Sequence, residues 1–253
     1  MRLHVFELIR FSTYAELRAE RARSYLGFIW WLAEPAMMMA AFWLVFGVIL
    51  KSGGPDYVPF LLIGLVLWQW IKSCVTHGGH AIWSNLALIR QVRLPVLIFP
   101  LVQMLADTVK FLCIFSLLLV ILWMFGYPPN RAYLALPLLF ALIFLCAAGV
   151  GLLVAAVMPL LPDLRFVIEQ VLTVLMFLSG VAFALKPVPP QLEGFVALNP
   201  VMVLLDACRD VLMRAIWPSP SALLPVAAMS VALALSGVVA VWRLRHRYPK
   251  LAI

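Results

Sequence analysis

Long apolar stretches, each ended by a short polar or Pro/Gly-rich break, follow one another along most of the chain. About six of them reach the roughly 20 residues that a helix needs to cross a hydrocarbon core of about 30 Å. A helix satisfies its own backbone polar groups, and the stretches lack the short alternating pattern of a membrane barrel. The pattern therefore predicts an all-α integral membrane protein with six transmembrane helices, at approximately 32–51, 58–79, 98–125, 132–158, 165–185 and 222–242.

Proline and glycine mark several of the predicted helix ends. Glu34-Pro35 stands before the first span, and proline is common at the first helical position. The Lys-Ser-Gly-Gly-Pro run at 51–55 ends that span, and Pro59 opens the second. These breaks predict that the first helix starts at Pro35 and that the chain turns back soon after residue 51.

The N-terminal segment, residues 1–26, predicts an amphipathic helix that lies along the inner membrane face. A mobile basic tail is the alternative. We treat residues 27–246 as the transmembrane domain and 247–253 as a cytoplasmic C-terminal tail. The apolar face of the N-terminal helix recurs at roughly helical spacing and consists of Val5, Leu8, Ala15, Ala19, Ala22 and Leu26, whereas arginines occupy other positions.

The stretch from Lys186 to Ser221 fits neither a span nor a simple loop. Proline-rich breaks at 186–190 and at Asn199-Pro200 separate two pieces, 191–198 and 201–216, that are too short to cross a bilayer. We expect two short re-entrant or interfacial helices on the outer side, with an ordinary loop as the alternative. The second carries a charged stripe of Asp206, Arg209, Asp210 and Arg214 opposite Val203, Leu204, Ala207 and Val211.

Composition supports the membrane assignment. Hydrophobic residues make up 65% of the 253, charged residues only 12%, and a soluble domain of this length needs far more polar surface. The net charge of +8 flanks the spans instead of forming one basic face, which argues against nucleic acid. About twelve of the 19 Lys and Arg fall at the predicted inner ends. The positive-inside rule then predicts that both termini are cytoplasmic.

Motifs that carry chemistry are scarce in this sequence. The chain lacks a GxxxxGK[ST] loop, so it cannot cradle ATP phosphates by itself, and it lacks HExxH and GxSxG. The four cysteines are scattered without a CxxC pair, which favours inert thiols over a metal site. No catalytic, cofactor-binding or metal-binding residue is therefore predicted.

Polar residues inside predicted spans are costly in lipid and usually have a function. Asp107 and Lys110 are three apart and share one helical face, where we expect them to neutralise each other. Lys72 and Glu169 are further candidates. An alternative hypothesis is an intramembrane enzyme acting on lipid, with Asp107, Lys110 and His77 or His80 as its site.

The segment from Ser84 to Pro95 is a short amphipathic stretch between the second and third spans, on the predicted cytoplasmic side. A helix at this position would present Leu86, Ile89 and Arg90 to whatever docks beneath the membrane. A plain loop is the alternative interpretation.

Several segments together resemble the ABC-2-type polysaccharide export permeases. Arg23-Ser-Tyr-Leu-Gly-Phe-Ile-Trp-Trp-Leu-Ala-Glu-Pro35 is similar to the N-terminal signature of these permeases, and Asn85 to Pro95 looks like their segment after the second span. Phe177-Leu-Ser-Gly-Val-Ala-Phe183 and Leu198-Asn-Pro-Val201 resemble their late signatures. The similarity covers essentially the whole chain, in order.

This resemblance implies a subunit that exports O-antigen, capsular polysaccharide or teichoic acid across the inner (plasma) membrane. Two copies of the chain would form the channel, and a dimer of a separate P-loop ATPase would bind ATP and Mg below it. The substrate would be a lipid-linked glycan. An ABC-2-type efflux permease for a small molecule or drug is the alternative, because it shares this architecture.

The resemblance also implies roles for particular residues, which fall into three groups. The ATPase-coupling residues are Asn85, Leu86, Ile89, Arg90 and Arg93; the interface and gate motif is Arg23, Leu26, Gly27, Trp30, Trp31, Glu34 and Pro35; the outer gate is Pro187, Asn199, Pro200, Asp206 and Arg209.

Overall fold

The computed structural model describes residues 2–23, 28–49, 56–91, 94–181 and 199–248, and within these ranges the chain is helical with no strand. In chain order the elements are α1 (Arg2–Arg23), α2 (Phe28–Phe42, continued by a π-helix Trp43–Ile49), α3 (Tyr57–Ser84), α4 (Leu86–Gln91), α5 (Ile98–Met124), a 3₁₀ turn (Arg131–Ala135) leading into α6 (Leu136–Val157), α7 (Leu164–Leu178), α8 (Pro200–Arg209, continued by a π-helix Asp210–Arg214) and α9 (Pro220–Leu244).

Four helices are long and apolar enough to cross a membrane: α3, α5, the 131–157 segment that contains α6, and α9. They correspond to the second, third, fourth and sixth predicted spans, whose bounds agree within a few residues except at one end. That exception is α3, which continues past residue 79 to Ser84. The all-helical membrane fold is therefore confirmed at the level of these four helices.

The first predicted span begins earlier than proline placement suggested. Helix α2 starts at Phe28, so Pro35 lies inside it and not at its first position. Proline in a helix removes one backbone hydrogen bond, but the apolar residues before it gain more from staying helical in an apolar environment. The prediction that the helix starts at Pro35 is wrong for this reason.

Helix α7 is shorter than predicted. Its 15 residues, Leu164–Leu178, extend about 22 Å, and the chain then turns at Gly180, whose φ is +64°. Glycine adopts this left-handed conformation without steric cost, and it commonly follows a helix end. The predicted end at residue 185 therefore comes too late, and residues 182–198, including the first predicted short helix, lie outside the described residues.

The second predicted short helix is present as α8 and its π-helical continuation, which together cover Pro200 to Arg214. Asn199 stands before it in an extended conformation, and its side-chain oxygen accepts hydrogen bonds from the backbone N–H groups of Val201 and Met202. This is an ordinary N-cap followed by proline at the first position, which explains why the helix starts where the sequence pattern predicts.

The N-terminal segment forms helix α1, but one residue of its predicted apolar face is exposed. Helix α1 packs against α5. Thr13 is buried, whereas Ala15, which was placed on the apolar face, is exposed together with Phe11 and Tyr14. The small alanine side chains contribute little apolar area, so they do not decide which face turns inward.

Helix α3 forms the centre of the bundle, packed against α5 and α6. Its Trp70 ring stacks on Phe111 of α5 with centroids 4.0 Å apart, and Phe140 of α6 meets both rings edge-on. The Trp70 indole N–H donates to Thr108 Oγ1 at 3.2 Å, which satisfies the one polar atom of that ring. This cluster fixes the three helices against one another.

Helices α6 and α9 pack closely through small residues. A Cβ atom on Gly237 would lie 2.8 Å from the Gly149 carbonyl oxygen, so only glycine permits this approach. Just past α9, Tyr248 is fully buried and its hydroxyl donates to the Ala156 carbonyl at 3.2 Å. Burial raises the pKa of Tyr248 to about 12. The chain after α9 is thereby anchored to the last turn of α6.

Candidate functional site

A polar cavity of about 650 Å³ opens at the end of the bundle where α4 lies. It is enclosed by α1, α3, α5 and α7, and four of the six predicted intramembrane or histidine candidates contribute to it. The residues that line this polar cavity are Glu16, Lys72, Thr76, His77, His80, Ala81, Ser84, Gln103, Met158, Arg165, Ile168, Glu169, Gln170 and Thr173.

The His77-Gly-Gly-His80 run explains how two histidines come to face this cavity. They are three residues apart and therefore share one face of α3. The two glycines between them are buried on the opposite side, where a Cβ on Gly79 would lie 2.6 Å from Val154 Cγ1 of α6. Close packing on the glycine side thus turns the histidines towards the open volume.

A charged cluster holds one of these histidines in place. Asp107 of α5 is buried, and Lys110 Nζ lies 2.7 Å from its Oδ1 atom. His77 Nδ1 is 3.0 Å from both carboxylate oxygens, while half of the His77 side chain is exposed towards the cavity. The expected Asp107–Lys110 pair is therefore present, and His77, which the alternative lipid-enzyme hypothesis groups with these two residues, joins the pair to the cavity wall.

Several other polar side chains of the cavity differ from His77 in their interactions. Within the described residues, the side chains of Lys72, Gln103 and Gln170 form no hydrogen bond or ion pair. Glu16, Gln103, Arg165, Gln170 and Thr173 were not singled out from the sequence. The signal that could have found them is a polar residue at the inner end of each of several apolar segments.

At the opposite end of the bundle, Arg209 forms what we call the arginine clamp. Its side chain is only 5% exposed, and its Nη1 and Nη2 atoms each donate at 2.9 Å, to the Gly180 and Val181 carbonyls that follow α7. Nη1 also lies 3.4 Å from Asp206 Oδ1. A cation beside unpaired carbonyls at a helix C-terminus is favourable, so Arg209 joins α8 to the end of α7.

Helix α3 completes the arginine clamp. The Arg209 guanidinium stacks on the Phe60 ring at 3.5 Å, and its plane passes over Gly64. A Cβ on Gly64 would collide with Arg209 Nη2 and lie 2.5 Å from the Val181 carbonyl oxygen. Glycine at 64 is thus required for the approach of both groups.

Asn199 adds a second connection between the same elements. Its Nδ2 atom donates to Ser179 Oγ at 3.0 Å, while its Oδ1 caps α8. Asp210 and Arg214, by contrast, form an exposed pair at 2.7 Å. The predicted charged stripe is therefore divided, because Arg209 turns inward while Asp210 and Arg214 stay outside.

Two loop contacts stiffen the same end. The Tyr127 hydroxyl donates to Asp56 Oδ1 at 2.6 Å, and Asn130 Nδ2 donates to the Val211 carbonyl at 3.1 Å. Burial, followed by the hydrogen bond and the negative charge of Asp56, raises the pKa of Tyr127 to about 12. The phenol therefore remains protonated and keeps donating at neutral pH.

The predicted docking segment forms the short helix α4, but with a different outward face. Leu86 and Ile89 are half-buried against the core, whereas Leu88 is 42% exposed and Arg90 and Gln91 are also exposed. Leu86 and Ile89 are therefore more covered by the protein than expected, because an apolar i, i+3 pair is stabilised by packing against the core.

Asn85 forms the junction between α3 and α4. Its Nδ2 atom donates to the Ala81 carbonyl at 2.8 Å, and its own carbonyl accepts from the Ile89 N–H at 3.0 Å. These bonds connect the last turn of α3 to the first turn of α4.

The remaining motif residues lie around the junction of α1 and α2 or outside the described ranges. Arg23 is the last residue of α1, and Trp30, Trp31, Glu34 and Pro35 belong to α2. Leu26, Gly27, Arg93 and Pro187 lie outside the described residues. In the part of the chain that is described, no group of three or more His, Cys, Asp or Glu side chains is arranged to hold a metal ion.

Comparison with known proteins gives a consistent result. A family model described as ABC-2 type transporter matches residues 7–213. The chain is 26% identical over 220 residues to the O-antigen export system permease protein RfbA of Myxococcus xanthus, which covers 86% of this chain and 85% of that protein. It is also 22% identical to RfbA of Klebsiella pneumoniae over 212 residues, covering 83% and 82% of the two chains, respectively.

A transporter named for polysialic acid matches as well. The polysialic acid transport protein KpsM of Escherichia coli is 26% identical over 201 residues, with 78% of each chain covered. Identities of this size leave individual residues free to differ while the order of segments along the chain is kept. The family that the motifs between Arg23 and Arg209 resemble is thus the family that the comparisons find.

Proposed function

Because this chain belongs to the ABC-2 type transporter family, we propose that it is the membrane permease subunit of an exporter for a surface polysaccharide. The observation that carries the proposal is its similarity, over more than four-fifths of its length, to permeases named for O-antigen export. A hydroxyl-rich glycan cannot cross hydrocarbon unaided, since each unpaired polar group there costs several kcal/mol. The subunit provides the protein-lined path.

The proposed subunit crosses the membrane six times and works as a pair. Four membrane-length helices support this, and the continuous helix from Phe28 to Ile49 is long enough to add a fifth. Helix α7 forms the sixth crossing together with the chain that follows it. Phe166, Val174 and Leu178 are more than half exposed on α7, which suits a face that meets a second copy or lipid.

Both termini are proposed to lie in the cytoplasm. Arginines gather at the α4 end of the bundle, among them Arg90, Arg165 and Arg243. Arg165 lines the same cavity as Ser84, and Tyr248 packs on the last turn of α6, so the basic inner ends share one end of the molecule. An excess of basic residues on one side is typical of the cytoplasmic face.

Energy is proposed to come from a separate ATPase dimer that holds ATP and Mg. Its movement reaches the permease through α4, whose exposed Leu88 and Arg90 form the contact, and passes to α3 through Asn85. A rigid-body shift of α3 together with the attached end of α7, relative to α2, then gates the passage. The arginine clamp keeps the end of α7 attached to α8 during that shift.

Deleting the gene for this chain and assaying surface polysaccharides tests the function directly. The expected result is loss of one surface glycan, restored by the wild-type chain, with accumulation of its precursor inside the cell. Unchanged surface glycans and a changed resistance to small toxic molecules would favour the drug-efflux alternative.

The coupling role is tested with paired variants of α4. Leu88→Ala/Arg90→Ala should reduce export at least tenfold while the complex still hydrolyses ATP, because the outward contact is lost but the helix remains packed. Gln91→Ala, an exposed change on the same helix, is the matched control. Full export by the double variant would contradict coupling through α4.

A further inference from the structure

The last turn of α9 and the residues directly after it carry a group of cationic side chains, which we call the basic corner: Arg243, Arg245 and Arg247. All three are exposed, and the sequence contains no Asp or Glu after Asp210. Among the described residues, none of the three arginines forms an ion pair with a carboxylate. Exposed cations without a counter-charge in the fold form a surface that favours an anionic partner.

The basic corner is held in place on the helix bundle. The Arg247 backbone N–H donates to the Leu244 carbonyl at 2.8 Å, which closes a turn directly after α9. The next residue, Tyr248, is fully buried and donates to the Ala156 carbonyl of α6. The arginines therefore stand on an ordered backbone, and a ligand that binds them has to order only their side chains.

The face of α9 that leads to the basic corner is apolar and uncovered. Helix α9 packs mainly against α6, and the buried Gly237 lies on that side. Elsewhere on the helix Leu235, Val238 and Trp242 are exposed, and we call these three residues the apolar stripe. Their spacings of three and four place them on one helical face over about 10 Å. A stripe of this kind suits contact with an acyl chain.

Arg245 connects the two parts of this surface. Its guanidinium carbon lies 4.9 Å from the centre of the Trp242 ring, so the cation stands over an exposed indole at the end of the apolar stripe. Tryptophan and arginine are typical of the level at which lipid head groups meet acyl chains. A phospholipid presents its phosphate and its chains in the same order in which this surface presents cations and apolar side chains.

The position of the surface favours a phospholipid over other anionic partners. A water-soluble ATPase that contacted the basic corner would leave the adjoining apolar stripe uncovered, whereas a phospholipid covers both. The lipid carrier of a substrate has to reach the passage, which is proposed to open beside α2. The main contacts of α9 are with α6 and α8, so its uncovered face meets the surrounding bilayer.

We propose that the basic corner and the apolar stripe together bind an anionic phospholipid of the surrounding bilayer. Arg243, Arg245 and Arg247 pair with the phosphate and the anionic head group, and an acyl chain lies along the apolar stripe. Each arginine at a membrane surface contributes about fivefold in affinity for anionic lipid, so the three together contribute about a hundredfold. The binding surface does not depend on the export function, since it needs only that this end of α9 meets a membrane surface.

Native mass spectrometry of the whole permease–ATPase complex tests the proposal. The delipidated complex in detergent is titrated separately with phosphatidylglycerol, with phosphatidylcholine of the same acyl chains, and with glycerol 3-phosphate. We expect phosphatidylglycerol to bind at least about tenfold more tightly than phosphatidylcholine. Glycerol 3-phosphate should not be retained, because it lacks the chains that the apolar stripe holds. Equal retention of the two phospholipids, or retention of glycerol 3-phosphate, would overturn the proposal.

Variants of the basic corner locate the bound lipid. Arg243→Gln/Arg245→Gln/Arg247→Gln leaves the Tyr248 anchor in place and should weaken phosphatidylglycerol binding by about a hundredfold. Arg245→Gln alone should weaken it by about fivefold, so poor folding of the triple variant does not leave the question open. Arg131→Gln, which removes an exposed arginine at the opposite end of the bundle, is the matched control and should bind as the wild type does.

Wild-type binding in both variants of the basic corner would contradict the proposal. So would a loss in Arg131→Gln as large as that in Arg245→Gln, because charge alone and not this surface would then hold the lipid.

Two further measurements separate the other partner classes. A polyprenyl phosphate should displace phosphatidylglycerol no more effectively than phosphatidylglycerol itself does, and the triple variant should keep its ATPase subunits. Tighter binding of the polyprenyl phosphate would assign the surface to the lipid carrier, and loss of the ATPase would assign it to the protein partner. Either result rejects the phospholipid site. Deletion of the gene tests the export function alone, so the two proposals fail independently.

Discussion

The two ends of this helix bundle use polar residues in opposite ways. At the arginine clamp, Arg209 is buried, donates through Nη1 and Nη2 to two carbonyls and stacks on Phe60, while its buried Nε has no partner among the described residues. In the polar cavity, Lys72, Gln103 and Gln170 remain unpaired among the described residues. A buried polar group with several protein partners holds helices together, whereas a solvent-accessible one contributes little to packing.

Removing the clamp should have the largest effect. Arg209→Ala leaves the Gly180 and Val181 carbonyls unpaired in a buried site, and losing one partner of such a charged network costs about 3–5 kcal/mol. We expect a large fall in the thermal unfolding temperature of the purified protein. Arg214→Ala, which breaks only an exposed pair, should cost less than about 1 kcal/mol. Equal losses of stability in the two variants would mean that the buried arginine clamp contributes no more than an exposed ion pair.

Substituting Asp107 tests whether a buried charged side chain at the cavity end also stabilises the helix bundle. Asp107→Leu removes the carboxylate that pairs with both Lys110 and His77, so a partly buried ammonium loses this ion pair. The expected loss is roughly 2–4 kcal/mol, smaller than at the clamp because Lys110 retains some access to solvent. Asp107→Leu/Lys110→Met should recover much of this stability. Thermal unfolding of the single and double variants measures the recovery, and its absence would argue against the pair.

A substitution of Gly64 tests how closely Arg209 approaches helix α3. Gly64→Ala places a methyl group against Arg209 and the Val181 carbonyl, and overpacking of this kind costs about 1–3 kcal/mol. In an Arg209→Met background the same change should cost less, because the longer guanidinium is gone. A double-mutant cycle on thermal unfolding measures the difference. Additive effects would show that the two residues do not interact.

The smallest effect is expected in the polar cavity. Gln170→Leu removes an amide that has no partner among the described residues, so stability should change by no more than about 0.5 kcal/mol. Thermal unfolding of the purified variant measures this change. A large loss of stability would mean that this side chain is part of the packing, and the contrast between the two ends would not hold.

The charged cluster beside the cavity shows how far helical spacing predicts a site. Asp107 and Lys110 lie three apart on one helix, and their pairing follows from helical geometry alone. The third partner, His77, is 30 residues away on another helix, and spacing gives no information about such contacts. The same limit applies to Arg209, whose carbonyl partners lie 28 and 29 residues earlier in the chain.

In helix α4, too, the sequence pattern predicts the element but not which of its faces is covered. The pattern from Ser84 to Pro95 predicted a short amphipathic helix, and Leu86–Gln91 is one. Amphipathicity could not say whether Leu86 and Ile89 face a partner or the protein, since both surroundings accept apolar side chains. Packing against the core decided it and left Leu88 and Arg90 outside.

The order of residues alone was enough to predict an all-helical membrane protein, the approximate bounds of α5, α6 and α9, and the series of motifs that identifies the family. These properties are local, because an apolar run must be helical wherever lipid is its solvent. The start of α2 before Pro35, the inward turn of Arg209 and the enclosure of one cavity by polar groups from four helices became visible only in the folded chain. Each of these depends on residues far apart in the chain, whose contacts form only when the helices pack.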